Sequence, residues 1–383
     1  MVAVIVSLAS LSLLVTLLSY AAVLQKLSMR HRPPRSTPGI SILKPLKGTD
    51  DELYENLRAF AELDYPDYEV LLGAECGDDP ALVIARRVKR EFPDAPFRVF
   101  VGARDVGLNP KVRLLSRLIE EARSEWVLVS DSNVRPRSDY LNDLMACQER
   151  TGAALVHSPL AGVGEKSLGA TLENLQMNSW VISAIGLSDA CGHPCVIGKS
   201  MLMKRSVLAR LGGFHEVRDI LAEDYILGET FHRAGERVVL SPHILPVFAT
   251  ERPFSSFVNR HVRWGQLRRR ISPLGFVSEL VMNPLPWLVL LTCVGTHELR
   301  VLSLLGFSLK VLADTVLSRL VRGTPLPLSQ VLLIPVKDVL GVGMWAVAAL
   351  RTRVSWRGNH MRIVAGSRLV PIEAELRPAE SEA

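Results

Sequence analysis

Two hydrophobic patterns divide this chain. Between Gly39 and Arg252, short apolar runs alternate with stretches whose apolar residues recur every three or four positions. Ile40-Ser-Ile-Leu43 reads as a strand, followed by Lys44-Pro45. Thr49-x-x-Glu52 has the spacing of a capping box and predicts a helix to about Leu63, with Leu53, Leu57 and Phe60 on one face. Tyr68 to Leu72 is strand-like, Pro80 to Glu91 helical and Arg98 to Val101 strand-like. Asn109-Pro110 starts a helix on which Val112, Leu115, Leu118 and Ile119 share a face, and Trp126 to Ser130 is the next strand. Such alternation, joined by right-handed crossovers, predicts an α/β domain with an open, mostly parallel sheet covered by helices on both faces. Ligands of these sheets bind beyond the carboxyl ends of the strands. Asp79 and Asp131 each follow a strand-like run, so the topology places both on one rim.

The second pattern is long and nearly uncharged. Val2 to Leu24 is apolar and uncharged and meets the roughly twenty residues needed to cross a bilayer. Its basic residues, Lys26, Arg30, Arg32 and Arg35, come after it, which predicts an uncleaved anchor and a cytoplasmic domain behind it. His31-Arg-Pro-Pro-Arg-Ser-Thr-Pro38 is a stiff linker. Beyond Pro273, Leu280 to Val294 and Val301 to Leu317, separated by His297 to Arg300, predict a helical hairpin. Leu328 to Leu350 is a third stretch, and its Lys337-Asp338 pair is expected to face protein or the interface, since both charges are costly in lipid. Three full spans would put the basic stretch Arg351 to Arg362 on the far side, against the positive-inside rule, so the third stretch is expected to be re-entrant or interfacial. The resulting division is anchor 1–25, linker 26–38, catalytic domain 39–252, interfacial helix 253–273, membrane helices 274–350 and a basic, then acidic tail 351–383, of which Glu373 to Ala383 reads as disordered.

Composition narrows the partners. The chain has 383 residues, 48% of them hydrophobic, and a formal charge of +6. That length accommodates one catalytic domain plus membrane segments. The positive charge clusters beside apolar runs, with Arg268 to Arg270 before the C-terminal one, which suits anionic headgroups; no nucleic-acid-binding motif accompanies it. Five scattered cysteines do not form a disulfide framework. Gly198-Lys199-Ser200 resembles the end of a phosphate-binding loop, but His193 stands where that motif needs its first glycine.

Three groups carry candidate chemistry. Asp131-Ser132-Asn133, after a buried strand, offers oxygen ligands to a hard divalent cation shared with a diphosphate; a capped turn is the plainer explanation. Asp224 is a candidate general base, and its place in a first helical turn also complements the helix dipole. Arg260, Arg263 and Trp264 share a helix face, joining two guanidinium groups suited to a departing diphosphate with an indole suited to a sugar or acceptor. The alternative for these is snorkelling at the bilayer surface.

Leu43-Lys-Pro-Leu-Lys-Gly48, Leu63-Asp-Tyr-Pro66, Tyr68-Glu-Val-Leu-Leu72, Asp78-Asp-Pro80, Gly107-Leu-Asn-Pro-Lys111 and Ala222-Glu-Asp-Tyr225 together resemble the ceramide glucosyltransferases, from about residue 40 to Trp356-Arg357. The resemblance implies a membrane-bound, inverting transferase of the GT-A fold that moves one sugar from a UDP-sugar to a lipid hydroxyl. It implies Asp79 in the nucleotide site, Lys44, Pro45 and Lys111 lining the donor site, and Asp131 holding the diphosphate through Mg²⁺ or Mn²⁺. Asp224 would be the base, and Arg260, Arg263 and Trp264 the closing motif. Around Asn178-Ser-Trp180 a His-Pro step of the eukaryotic enzymes is absent. Related bacterial enzymes that glycosylate hopanoid polyols are similar in architecture, so a hopanoid or polyprenyl-phosphate acceptor is the rival to ceramide. A decayed, non-catalytic lipid- or nucleotide-binding protein is the rival of another class. The expected location is a bacterial-type inner membrane, with the catalytic domain in the cytoplasm.

Overall fold

A computed structural model describes residues 1–29, 32–356 and 359–371. Arg30, His31, Arg357 and the acidic end from Glu373 to Ala383 lie outside the described residues. The helices are α1 (Val2–Ser28), α2 (Leu53–Arg58), α3 (Pro80–Glu91), α4 (Pro110–Glu121), α5 (Tyr140–Thr151), α6 (Leu168–Gln176), α7 (Ile182–Ala190), α8 (Arg205–Arg210), α9 (Glu223–Arg233), α10 (Phe254–Ile271), α11 (Pro273–Met282), α12 (Pro284–Val294), α13 (His297–Arg322), α14 (Leu328–Val331) and α15 (Ile334–Leu350). The strands are β1 (Ile40–Leu46), β2 (Tyr68–Ala74), β3 (Phe97–Val101), β4 (Trp126–Ser130), β5 (Leu155–His157), β6 (Leu160–Val163), β7 (Ser200–Lys204), β8 (Val238–Leu240), β9 (Leu245–Phe248), β10 (Arg353–Trp356), β11 (Asn359–Ile363) and β12 (Leu369–Pro371).

The central sheet has the order β3-β2-β1-β4-β7-β5-β8. Its pairings are parallel except on either side of β7, which runs antiparallel to β4 and β5. Alternation along the strands divides the core. Ile40, Ile42, Val70, Leu72 and Leu128 pack with α2, α3 and α5, while Leu43, Leu71, Val127 and Val129 pack with α4, α8 and α9. Both sheet faces are therefore buried, as the near-continuous apolar strands require.

Several local expectations hold to the residue. Asn109 caps α4, its Oδ1 accepting from the N–H groups of Lys111 (2.9 Å) and Val112 (3.2 Å), with Pro110 in the first turn. Asp79 caps α3 in the same way. The capping box at Thr49–Glu52 does not form. Glu52 adopts a left-handed backbone (φ 55°), and its carboxylate bonds Arg135 at 2.7 Å, so α2 starts at Leu53 and ends by Arg58. A tertiary ion pair overrides the local signal. The turn between α12 and α13 is Gly295-Thr296, and His297 to Arg300 forms the first turn of α13 instead of a loop.

Among the described residues, three helical stretches are long and apolar enough to cross a membrane: Val2–Ser28, His297–Arg322 and Leu328–Leu350. Helices α11 and α12 form a pair bent by 42°. Beyond α15 the chain comes back to the α/β domain. The Leu369 N–H donates to the Asp219 carbonyl at 2.7 Å, the Leu221 N–H donates to the Ser367 carbonyl at 3.0 Å, and Val354, Met361, Ile363 and Leu369 pack on Leu221.

Candidate active site

The carboxyl ends of β1 and β4, the start of β7 and the first turns of α4 and α9 converge on one rim. Because Ser130 at the end of β4 pairs with Ser200 at the start of antiparallel β7, Gly198 and Lys199 are delivered beside Asp131. On the other side, Lys44 of β1 is wholly buried. Its Nζ donates to the Asp131 carbonyl at 2.7 Å and to Ser130 Oγ at 3.2 Å, and lies 3.9 Å from the centre of the Phe60 ring. Burial lowers the Lys44 ammonium to about 7, with the Asp131 charge opposing.

Both carboxylate oxygens of Asp131 are held by ammonium groups, Oδ1 by Lys111 and Oδ2 by Lys199, each at 3.0 Å. Burial alone would raise this carboxyl, but the two lysines outweigh it and keep Asp131 well below the usual carboxylate range. Lys111 also reaches Glu223 Oε1 at 2.9 Å and the Gly198 carbonyl at 3.2 Å. Burial works against its charge, and the carboxylates of Asp131 and Glu223 hold its pKa above the ordinary lysine value.

Asp224 is different. It opens α9, accepting from the Gly198 N–H at 2.6 Å and from the Tyr225 N–H at 2.8 Å. Burial, then the Glu223 charge, pushes it up to about 6 against the pull of Lys111 and the two N–H donors. Gly198 is the hinge of the arrangement: a Cβ there would lie 2.8 Å from Lys111 Nζ and 2.9 Å from Asp224 Cβ. Asp131 and Asp224 thus belong to one network, bridged by Lys111 and Gly198.

The other expected residues surround this network. Asp79 sits on the rim, but its carboxylate accepts from the Gly48 N–H (2.9 Å) and the Ala81 N–H (2.9 Å), so it joins the β1 exit loop to α3. Pro45 lies in β1 opposite Gly73. Arg260 on α10 bonds Glu173, a buried acid of α6, at 3.2 Å, and its charge is felt by Lys199. Burial would raise Glu173, yet Arg260 and then His261 bring it down to about 2. Trp264 stands 5.9 Å from the Arg260 guanidinium and edge-on to His261 at 5.1 Å. Arg263, half-buried, lies on the same helix. Neither Lys199 nor Glu173 is among the residues expected from sequence. Lys199 was visible only as part of a failed phosphate-loop motif, and Glu173 carries no signal outside its buried ion pair.

Asp131 Oδ2 and Asn133 Oδ1 converge on a single point, which the Lys199 ammonium occupies at 3.0 and 2.7 Å. Hard oxygens aimed at one positive charge are the donor set a divalent cation takes, so these residues fit one once Lys199 moves aside. A second cluster, Asp139, Asp143 and His243, has ligand atoms within 4.8 Å of one another at the start of α5 and the loop after β8. Arg137 pairs with both of its acids.

Residues 4–369 match the sequence model of Glycosyl transferase family 21. Ceramide glucosyltransferase 3 of Caenorhabditis elegans is 26% identical over 357 residues, covering 90% of this chain and 77% of the relative. Ceramide glucosyltransferase 1 of the same organism is 27% identical over 273 residues, covering 70% of this chain but only 57% of the relative. Among solved structures, a mannosyltransferase from Pyrobaculum calidifontis in complex with GDP-Man and Mn2+ is similar at a TM-score of 0.53 and 16% identity, over 90% of this chain and 98% of that one. At that identity the likeness is one of fold, and it bears out the GT-A architecture.

Proposed function

The chain belongs to glycosyl transferase family 21, and on that premise we propose that it transfers a single sugar from a UDP-sugar to a hydroxyl of a membrane lipid, ceramide in the first instance. The observation that carries this reading is the shared network of Asp131, Lys111, Gly198 and Asp224. It joins a cation-rich seat for a diphosphate to a carboxyl with the properties of a base.

Asp224 takes the proton of the lipid hydroxyl as that oxygen attacks the anomeric carbon from the face opposite UDP, which inverts configuration. A carboxyl pushed up to about 6 is a stronger base than an ordinary one and is still ionised at neutral pH. Glu223 beside it raises the proton affinity, while Lys111 keeps it from rising further. Lys111 and Lys199, with Arg260 and Arg263 supplied by α10, place positive charge around the departing diphosphate, where fixed charge lowers the barrier most. Lys44 supports Asp131 from beneath through its carbonyl. Trp264 offers a flat face to the sugar or acceptor. A divalent cation, Mg²⁺ or Mn²⁺, would be held by Asp131 and Asn133 and would supply further positive charge beside the diphosphate.

The returning tail bears on topology. A tail hydrogen-bonded to the catalytic domain requires an even number of crossings between them. On this reading α13 and the stretch Leu328–Leu350 make the two crossings, and the bent α11–α12 pair dips in and out. The re-entrant element is then the first stretch of the C-terminal region, in place of the third. The basic tail shares the catalytic side, which the positive-inside rule makes the cytoplasm.

Purified protein in nanodiscs, given UDP-glucose and a short-chain ceramide, is expected to release UDP and form a glycosylated ceramide visible by mass spectrometry. Transfer only to a hopanoid polyol or polyprenyl phosphate would replace the acceptor. No UDP release with any of these lipids would refute the reading.

A further inference from the structure

A cavity of about 390 Å³ lies where the catalytic domain meets the apolar helices. Its walls come from α1, the end of α6 with the turn that follows, α7, α10, the α11–α12 bend, α13 and α15. We infer that this cavity binds the acceptor lipid, taking a neutral head of hydroxyl and amide groups with the first part of its hydrocarbon chains. The inference rests on the lipid-acceptor reading above and adds the place where that acceptor sits.

The location is the first argument. Helix α10 faces two ways: Arg260 reaches Glu173 and the neighbourhood of Lys199, while His261, Gly265 and Arg268 line the cavity. Positions 261, 265 and 268 recur at four and three residues, so they form one stripe along the helix. One rigid element therefore borders both the donor rim and the cavity. The cavity lip leads to the base as well. His193 on the lip is five residues from Gly198, whose N–H holds Asp224, so even a fully extended chain separates them by no more than about 18 Å.

The second argument is chemical. Helix α1 contributes Thr16, Ser19 and Tyr20 to the cavity, although its other faces expose Leu11, Leu14 and Leu18. Thr16 and Ser19 donate to backbone carbonyls of α1 and Tyr20 donates to Asp314, which leaves their hydroxyl oxygens as acceptors on the wall. The charged wall residues are already neutralised: Lys310 and Lys337 pair with Asp314 and Asp338, and Arg268 pairs with Glu279. A wall of matched ion pairs, hydroxyls and the amides of Gln176 and Asn283 can hydrogen-bond a neutral polar head but offers no net charge to an anionic one. The apolar remainder, including Leu187, Leu280 and Met344, suits hydrocarbon. The wall also contains a π-type turn, Met177–Val181, a feature frequent at functional sites. Trp180 of that turn lies against the Arg268 guanidinium at 4.8 Å.

Two glycines of α15 make the test. A Cβ at either Gly341 or Gly343 would meet no atom within 4 Å, and only Gly341 lines the cavity. In nanodisc-embedded full-length protein, Gly341→Phe is expected to raise KM for short-chain ceramide by about tenfold or more, a coupling of roughly 1.4 kcal/mol or above, and to leave UDP binding unchanged by calorimetry. Gly343→Phe is expected to alter neither. Equal ceramide KM in the two variants overturns the inference. A photoactivatable short-chain ceramide on the wild-type protein gives a readout that does not depend on any variant folding. Crosslinks to Trp180–Ser188 and to 341–345 support the cavity, and crosslinks confined to other segments overturn it. If the wild type transfers sugar to ceramide but crosslinks elsewhere, the cavity is wrong and the proposed function stands; if it glycosylates no lipid, the proposed function itself has failed.

Discussion

Lysine and carboxylate side chains meet in two buried networks, one on the rim of the sheet and one among the apolar helices. In the second, Asp314 is held by Lys310 at 2.8 Å and Lys337 at 3.1 Å, while Asp338 is held by Lys337 at 2.7 Å and again by Lys310. Tyr20 of α1 donates to Asp314. Every charge has two opposite neighbours, so the square is closed, and it joins α1, α13 and α15. The rim network is open. Asp131 is held on both oxygens by lysines, whereas Asp224 is held by backbone N–H groups and has Glu223 as its neighbour in sequence. Both networks bury carboxylates beside lysines, but only the rim leaves one acid with too little positive charge around it. Burial raises Asp224 on the rim, as the proposed role of base requires, while the square gives each of its acids two lysine partners.

The largest effects should come from breaking the rim. Asp131→Ala is expected to abolish both UDP binding and turnover, because it removes the carboxylate proposed to hold the divalent cation beside the diphosphate. Asp224→Asn should reduce kcat by about 10²- to 10⁴-fold with UDP binding retained, as loss of a general base does. Calorimetry with UDP, alongside turnover, separates the two variants, and near-full turnover of Asp224→Asn would end its assignment as the base.

Breaking the closed square should change stability before chemistry. Asp314→Asn leaves two buried lysines with one carboxylate between them, and is expected to cost about 3–5 kcal/mol. Replacing Asp314 and Lys337 together by apolar residues of similar size should recover most of that, read as thermal unfolding in detergent. If the single variant unfolded like the wild type, the square would contribute nothing to holding the helices.

Smaller changes sharpen the contrast. Lys199→Met empties the point between Asp131 and Asn133, and should tighten Mn²⁺ binding, measured by electron paramagnetic resonance with UDP present, by about tenfold, or roughly 1.4 kcal/mol. The pH profile tests Asp224 directly. Its carboxylate is the active form and its pKa is pushed up to about 6, so kcat should fall as the pH drops through 6. Glu223→Gln removes the neighbouring negative charge, lowers the Asp224 pKa and should move that acid limb down by about one pH unit. An unmoved limb would mean that another group sets it.

Much of this was legible in the order of residues. Strand β4, helix α3 and the start of α4 follow from apolar periodicity and from caps such as Asn109-Pro110, where the deciding contacts lie within one turn. Asp131 and Asp224 were legible too, each marked by a carboxylate at the end of a strand or the start of a helix. The protection of Lys337 and Asp338 from lipid was foreseeable from the cost of charge in hydrocarbon, and both are buried in protein. The capping box at Glu52 fails because it is a local preference of about a kilocalorie per mole, which a half-buried ion pair with Arg135 overrides.

What the sequence determined by itself is therefore whatever depends on near neighbours: the periodic elements, their caps, the apolar spans and the types of group able to do chemistry. Tertiary structure alone decided which of these charges pair. Lys199 meets Asp131 only because β7 enters the sheet antiparallel to β4, 68 residues separating the two side chains, and Lys310 meets Asp338 only because α13 and α15 pack together. Coulomb forces between buried groups act over a few ångströms of space regardless of distance along the chain, so the pairing that makes one carboxylate inert and another basic appears only after the chain has folded.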